Sequence, residues 1–373
     1  MIAFSGIRYA RADRFCMPVQ EPALESLEQL RTEVIICPQS PSRLDDVIGK
    51  SCDVETQSED CLRLAVYTPA LDGKRPVIVW IHGGAFLTGS GLCRLYDGTG
   101  LAMETDTVVV CVSYRLGAFG FLYDPSIGPV NLGMEDQLCA LRWIKENIAL
   151  FGGDPDRVTL MGQSAGGYSV LFHIANVQER LFSKAIVMSA PFASTGSGKM
   201  AQTSRKFKKL LGADPKTASV QDILKAQDEL AKASLGMPFS AVSDNLTSPE
   251  SIAPGLSSVL LYCQKDDAMP FVPFRWMTRI ATSLIFMKPM YRYAAHLRKK
   301  NIHTVCRLLD WRHGVKPFGA VHCMELPLLF GSYDTWKDAP FMHGVSENEY
   351  NQKSKKLKSE IASIPNSSIC SFP

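Results

Sequence analysis

Apolar residues in this chain fall into short runs, separated by longer stretches in which they recur at helical spacing. The segments at 77–81, 107–112, 158–161, 184–188, 258–262 and 303–309 are too short for helices and rich in apolar residues, with His303, Thr304 and Arg307 interrupting the last. They predict the strands of a buried sheet. Between two of them, Leu138, Leu141, Ile144 and Ile148 form one apolar stripe of a helix, which is core packing rather than a cofactor box. Strands alternating with helices predict an α/β fold: a mostly parallel central sheet with helices on both faces. Residues 194–250 break the rhythm. They are polar and helix-prone, and they predict a helical cap inserted after the strand at 184–188.

Within this pattern, the run at 158–161 leads into Gly162-Gln-Ser164-Ala-Gly166, and a segment of helical spacing follows (Val170, Leu171, Ile174). A strand, a sharp turn and a helix around Gly-x-Ser-x-Gly predict a nucleophile elbow. The serine there is held in a strained conformation, and small residues are needed two positions before and after it. The run at 77–81 leads into His82-Gly-Gly-Ala-Phe86. A glycine-rich turn after a strand lets backbone N–H groups approach an oxyanion closely, which predicts an oxyanion hole from Gly84, Ala85 and Ala165. His82 is expected to orient this loop rather than to act on substrate.

Together these motifs place the chain in the α/β-hydrolase class and, with further segments, resemble the type B carboxylesterase, or cholinesterase-like, family, with the bacterial para-nitrobenzyl esterases among its members. Phe4-Ser-Gly-Ile-Arg-Tyr-Ala10 is similar to an early family motif, with Arg8 where proline is usual. Ser58-Glu-Asp-Cys-Leu62, Tyr114-Arg-Leu-Gly117, Asn131-Leu-Gly133, Asp136-Gln137, Phe151-Gly-Gly-Asp-Pro155 and Glu325-Leu-Pro327 follow in the family's order. The resemblance spans almost the whole chain and implies one α/β-hydrolase domain over residues 1–373 with a reduced helical cap.

The remaining members of a serine triad follow from the order nucleophile, acid, base. Of seven histidines, His322 lies after the last run, in Gly319-Ala-Val-His322, which resembles the family's catalytic histidine segment. His313, in the same loop, is the alternative, and His173 reads as structural. For the acid, Cys263-Gln-Lys-Asp-Asp267-Ala268 follows the strand at 258–262 and aligns with a stretch in which the family carries glutamate. Asp267 takes that position, Asp266 competes with it, and Asp244 and Asp310 are more remote. Gln163 stands where the family commonly has glutamate and so removes a negative charge beside the site. Asp267 and His322 lie only 55 positions apart, which implies that helices covering the site in relatives are lost and the pocket is more open.

Composition adds bounds. Forty Lys and Arg against 37 Asp and Glu leave a net charge of +3. No long basic block points to nucleic acid, and the lysines of residues 353–358 read as a solvated helix face. No apolar run reaches membrane-spanning length, so no membrane insertion is expected. Eleven cysteines, an odd count without regular spacing, argue against a disulfide scaffold or a zinc site. The resemblance marks Cys37 and Cys61 as the pair that is bridged in secreted relatives. The N-terminus shows no signal-like apolar segment, so a cytoplasmic protein with those thiols reduced is expected.

The expected function is a serine carboxylesterase acting on a small-molecule ester through an acyl-enzyme on Ser164, without metal or organic cofactor. Phe86 and Phe119, with Phe192 and Phe239, are candidates for either apolar pocket lining or ordinary core. The other readings are amide or carbamate hydrolysis by the same serine, and a non-catalytic binding protein on the same fold.

Overall fold

The apolar runs assemble into one eight-stranded sheet in the computed structural model, which describes residues 1–50, 52, 56–233, 237–272, 274–311 and 319–366. In chain order the strands are β1 (Ile2–Arg8), β2 (Arg63–Thr68), β3 (Arg75–Ile81), β4 (Val108–Val112), β5 (Gly153–Gln163), β6 (Lys184–Met188), β7 (Ser258–Gln264) and β8 (His303–Leu309). Their spatial order is β1-β2-β4-β3-β5-β6-β7-β8. β1 and β2 pair antiparallel, as do β2 and β4, and the rest of the sheet is parallel. The six expected strands are all present, with β3, β5 and β7 longer than their apolar runs. β1 and β2 were not signalled by the pattern. β1 is an edge strand with mixed burial, and the apolar stretch of β2 is brief and flanked by Arg63 and Thr68.

The continuity of the central runs has a packing cause. Val77, Ile78, Val79, Trp80 and Ile81 are all fully buried, because helices cover both faces of the sheet. Val79, Ile81, Val110 and Leu160 point to one side and pack with Trp143, Ile144 and Val170. Those residues come from α2 (Leu132–Asn147) and α3 (Ala165–Asn176). Ile78, Trp80, Val109 and Met161 point to the other side and meet Leu101, Phe330, Trp336 and Ile361, drawn partly from α1 (Thr99–Thr105) and α8 (Glu347–Asn366). The lysine cluster on α8 is not wholly solvated. Lys358 is buried and pairs with Glu104 of α1 at 2.7 Å, because Leu357 and Ile361 turn that face of the helix onto the sheet.

Residues 194–250 contain α4 (Ser197–Leu211) and α5 (Val220–Lys232), which pack on each other. Buried Gln227 of α5 accepts a hydrogen bond from the Ala118 N–H at 3.0 Å and so ties this segment to the main body. Cys37 and Cys61 are both buried and not bridged; Cys61 is pushed well up in pKa, first by its hydrogen bond with Cys37 and then by burial. The spacing did not signal a bridge between Cys52 and Cys93, whose Cα atoms lie 5.4 Å apart. This is a correction to the reading of the cysteines. The two residues are 41 positions apart and meet only through the tertiary fold.

Candidate active site

The parallel strands deliver their C-terminal ends to one edge of the sheet, and the candidate residues gather there. His82 follows β3, Ser164 follows β5, Asp267 follows β7, and His322 lies in the loop beyond β8.

The elbow has the geometry that its glycines require. Ser164 has φ 55° and ψ −120° and stands at the N-terminus of α3. A Cβ on Gly162 would lie 2.4 Å from the Gly166 carbonyl oxygen, and one on Gly166 would lie 2.0 Å from that of Ile81. Neither position has room for a methyl group, so close packing of β5, α3 and β3 forces the Gly-x-Ser-x-Gly spacing. The Ser164 N–H donates to the Met188 carbonyl at 2.9 Å, which anchors the turn to β6.

The loop after β3 is left-handed through Gly84 (φ 104°), Ala85 (φ 56°) and Phe86 (φ 59°). A Cβ on Gly83 would sit 3.2 Å from the Ser164 Cβ, so the loop runs directly against the elbow. Among the described residues, the N–H groups of Gly84, Ala85 and Ala165 are not spent on any acceptor. His82 turns inward. Its Nδ1 is 2.8 Å from the Gly83 carbonyl and its ring stacks on Tyr114 at 4.5 Å. Burial pushes its pKa down to about 4, so it is a neutral loop support.

Asp267 and His322 meet. His322 Nδ1 lies 2.6 Å from Asp267 Oδ1, with both side chains buried. The other carboxylate oxygen accepts from the Gln264 N–H at 2.9 Å and the Cys263 thiol at 3.2 Å. The carboxylate is thus fixed at both ends and can hold the imidazole in one tautomer, with the proton on Nδ1 and the lone pair on Nε2. Asp266 does different work. Its N–H donates to the Ala320 carbonyl at 2.9 Å and its Oδ2 accepts from the Ala320 N–H at 3.2 Å, which clasps the loop that carries His322. Asp310 pairs with Lys265 at the surface. His173 is buried against Gln137 at 2.9 Å, and burial lowers its pKa to about 3. His313 lies outside the described residues.

Four residues near His322 were not foreseen in these positions. The Gln163 amide Nε2 is 3.3 Å from His322 Nε2 and 3.4 Å from the Cys323 sulfur. Because Nε2 of this tautomer is an acceptor, the amide donates to it, while Ser164 Oγ has no hydrogen-bond partner among the described residues. Phe271 and Phe286 place their rings 5.1 and 5.8 Å from the imidazole. Glu325, seen in the sequence only as part of a motif, is buried and accepts from Gln264 Nε2 at 2.8 Å. Burial, then Asp267, raises its pKa to about 7. Its position three residues after His322 was the only signal available. Phe86 and Phe119 are buried in the core, with Phe86 packed against Phe121 at 4.5 Å and Tyr168 at 5.7 Å.

Known proteins share this arrangement of chain and fold. The carboxylesterase family pattern matches residues 1–251. A probable N-octanoylanthranilate hydrolase of Rhodococcus erythropolis is 38% identical, over 95% of this chain and 87% of that protein. The para-nitrobenzyl esterase of Bacillus subtilis is 34% identical, over 89% of this chain and 79% of its own. A solved PNB esterase superposes with a TM-score of 0.86 at 27% identity, covering 100% of this chain and 89% of that one. Because the two relatives and the solved structure match over nearly all of the sequence, and the family pattern over its first two thirds, the chain belongs to the carboxylesterase family, in its type B, cholinesterase-like branch, and is a carboxylic ester hydrolase.

Proposed function

We propose that Ser164 is the nucleophile of this hydrolase, His322 its general base and Asp267 the group that orients the base. The observation that carries this reading is the 2.6 Å contact from His322 Nδ1 to an Asp267 carboxylate whose other oxygen is already held. On substrate binding, Ser164 Oγ takes the Nε2 lone pair, attacks the ester carbonyl, and gives its proton to His322. The N–H groups of Gly84, Ala85 and Ala165 hold the oxyanion. His322 then protonates the leaving alcohol, and water activated by the same imidazole hydrolyses the acyl-enzyme. The substrate is a small to medium carboxylic ester, and residues 194–250 form the cap that shapes its pocket.

A second reading, hydrolysis of an N-acyl bond by the same serine, is favoured by the name of the Rhodococcus relative. The Cys52–Cys93 bridge favours an oxidising compartment over the cytoplasmic location expected from the N-terminus. The test of the catalytic assignment is turnover of p-nitrophenyl acetate and butyrate, beside acyl anilides of the same chain length. Ester turnover that disappears in Ser164→Ala and collapses in Asp267→Ala supports the triad. Full activity in either variant overturns it. A higher kcat/KM on the anilides selects the second reading.

A further inference from the structure

Beyond Asp267 the chain forms a face that the hydrolytic chemistry leaves unexplained. It runs through the short turns Met269–Phe271 and Arg275–Met277, α6 (Thr278–Thr282), a π-helical turn (Ser283–Met287) and α7 (Lys288–Lys299). One side is buried, through Thr282, Phe286, Met290, Tyr293 and Leu297. The other side is apolar and open to solvent: Phe274 is 59% exposed, Trp276 72%, Ile280 57%, Leu284 58%, Ile285 45% and Tyr291 46%. Trp276, Ile280 and Leu284 follow one another at four-residue spacing and so line up along the surface. With Phe271, this stretch holds seven of the fourteen large hydrophobic side chains that are exposed among the described residues. Such clustering marks a binding surface rather than ordinary scatter.

The charge on this face has one sign. Residues 268–301 contain no Asp or Glu. Arg275, Arg279, Lys288 and Arg292 are exposed, and none makes an ion pair among the described residues. Long cationic side chains set among exposed Trp, Phe, Ile and Leu suit a helix lying in the boundary between lipid headgroups and acyl chains. There the apolar side chains enter the boundary and the cations meet phosphate. A second copy of the chain is a poor occupant, because a two-fold contact would set the same four cations against themselves. We infer that this face docks on an anionic lipid surface. It lies on that surface without spanning it; no helix among the described residues is long and apolar enough to cross a membrane.

The placement gives the docking a consequence for substrate choice. Phe271 and Phe286 of the same segment lie against the His322 ring. The Ala268 N–H, next to Asp267, donates to Thr282 Oγ1 at 2.9 Å and fixes α6 to the loop that carries the acid. A docked molecule therefore presents the base side of its site to the lipid, and esters dissolved in that surface reach the site from it. This part of the inference rests on the catalytic assignment above; the docking does not.

Trp276 supplies the probe. Trp80, Trp143, Trp311 and Trp336 are all buried, so Trp276 is the exposed tryptophan of the five. The whole protein is titrated with phosphatidylglycerol vesicles and with phosphatidylcholine vesicles, and binding is read by tryptophan emission and by co-sedimentation. The expected result is a blue shift and pelleting with phosphatidylglycerol alone, weakened by salt. Binding falls by about tenfold or more in Arg275→Glu/Arg279→Glu and in Ile280→Ser/Leu284→Ser. Trp276→Phe keeps pelleting and loses the emission shift. Hydrolysis of dissolved p-nitrophenyl acetate stays unchanged in all three variants, which shows that they are folded. Three outcomes overturn the inference: protein that stays in solution with phosphatidylglycerol at low salt, variants that bind like the parent, or a dimer that Ile280→Ser/Leu284→Ser dissolves.

Discussion

The two halves of the site are built by different means. The half around Ser164, the proposed nucleophile, is set by backbone sterics. Ser164 sits in a left-handed conformation between glycines that have no room for a Cβ, and the loop after β3 packs directly on it. The half around Asp267 and His322, the proposed acid and base, is set by side chains. Asp267 is held by Gln264 and Cys263, Asp266 clasps the loop of His322, and aromatic rings wall the imidazole. A steric solution tolerates almost no substitution and so leaves a short, rigid signature in the sequence. A side-chain solution can be reached by several residue types, here an aspartate where relatives carry glutamate, and its signature is weaker.

Perturbing both halves tests this contrast. The largest effects are expected at the elbow. Ser164→Ala should lower kcat by about 10^4-fold or more with the fold intact. Gly166→Ala should cost more than about 3 kcal/mol, because its methyl group would meet the Ile81 carbonyl oxygen; soluble yield and Tm measure this. A folded, active Gly166→Ala would refute the steric account.

On the other half, Asp267→Asn should reduce kcat by about 10^3- to 10^4-fold with little change in KM, since an amide favours the wrong imidazole tautomer. Asp266→Asn should lower Tm and reduce kcat by less than about tenfold. Reversed magnitudes would exchange their roles.

A subtler effect is expected at Gln163, whose amide donates to His322 Nε2. In Gln163→Glu a carboxylate there would stabilise the imidazolium, so the acid limb of the kcat/KM profile should move up by about one pH unit. An unmoved limb would mean that the amide does not govern the base.

The smallest effects concern stability against pH. Glu325 titrates near 7 in the folded chain because of burial and Asp267, against an ordinary carboxyl value near 4.5 when unfolded. Between those values the folded state binds the extra proton, so stability is lost as pH rises through this window, by about 3 kcal/mol at most. His82 runs the other way. Its folded pKa of about 4 lies below the ordinary 6.5, so the stability it contributes is lost as pH falls from 6.5 towards 4. The two windows overlap between pH 4.5 and 6.5, where the effects oppose and largely offset each other. Glu325→Gln should remove one of them, so its Tm should rise with pH through this range more steeply than that of the parent; an unchanged Tm profile would refute the assignment.

The sequence by itself determined the parallel sheet and the elbow. A strand buried on both faces must be apolar throughout, and a turn without room for a Cβ must be glycine; both constraints act on neighbouring residues and can be read locally. The expectation for Asp267 and His322 came from order along the chain and family resemblance, and only the tertiary structure put 2.6 Å between them. The same holds for Gln163 on the base, Asp266 as a clasp, buried Lys358 against Glu104, and the Cys52–Cys93 bridge. Each is a contact between residues far apart in sequence, which no local periodicity encodes. The apolar, cationic face of residues 271–292 was likewise invisible, because a helix that buries one apolar stripe and exposes another reads in sequence as a helix buried all round.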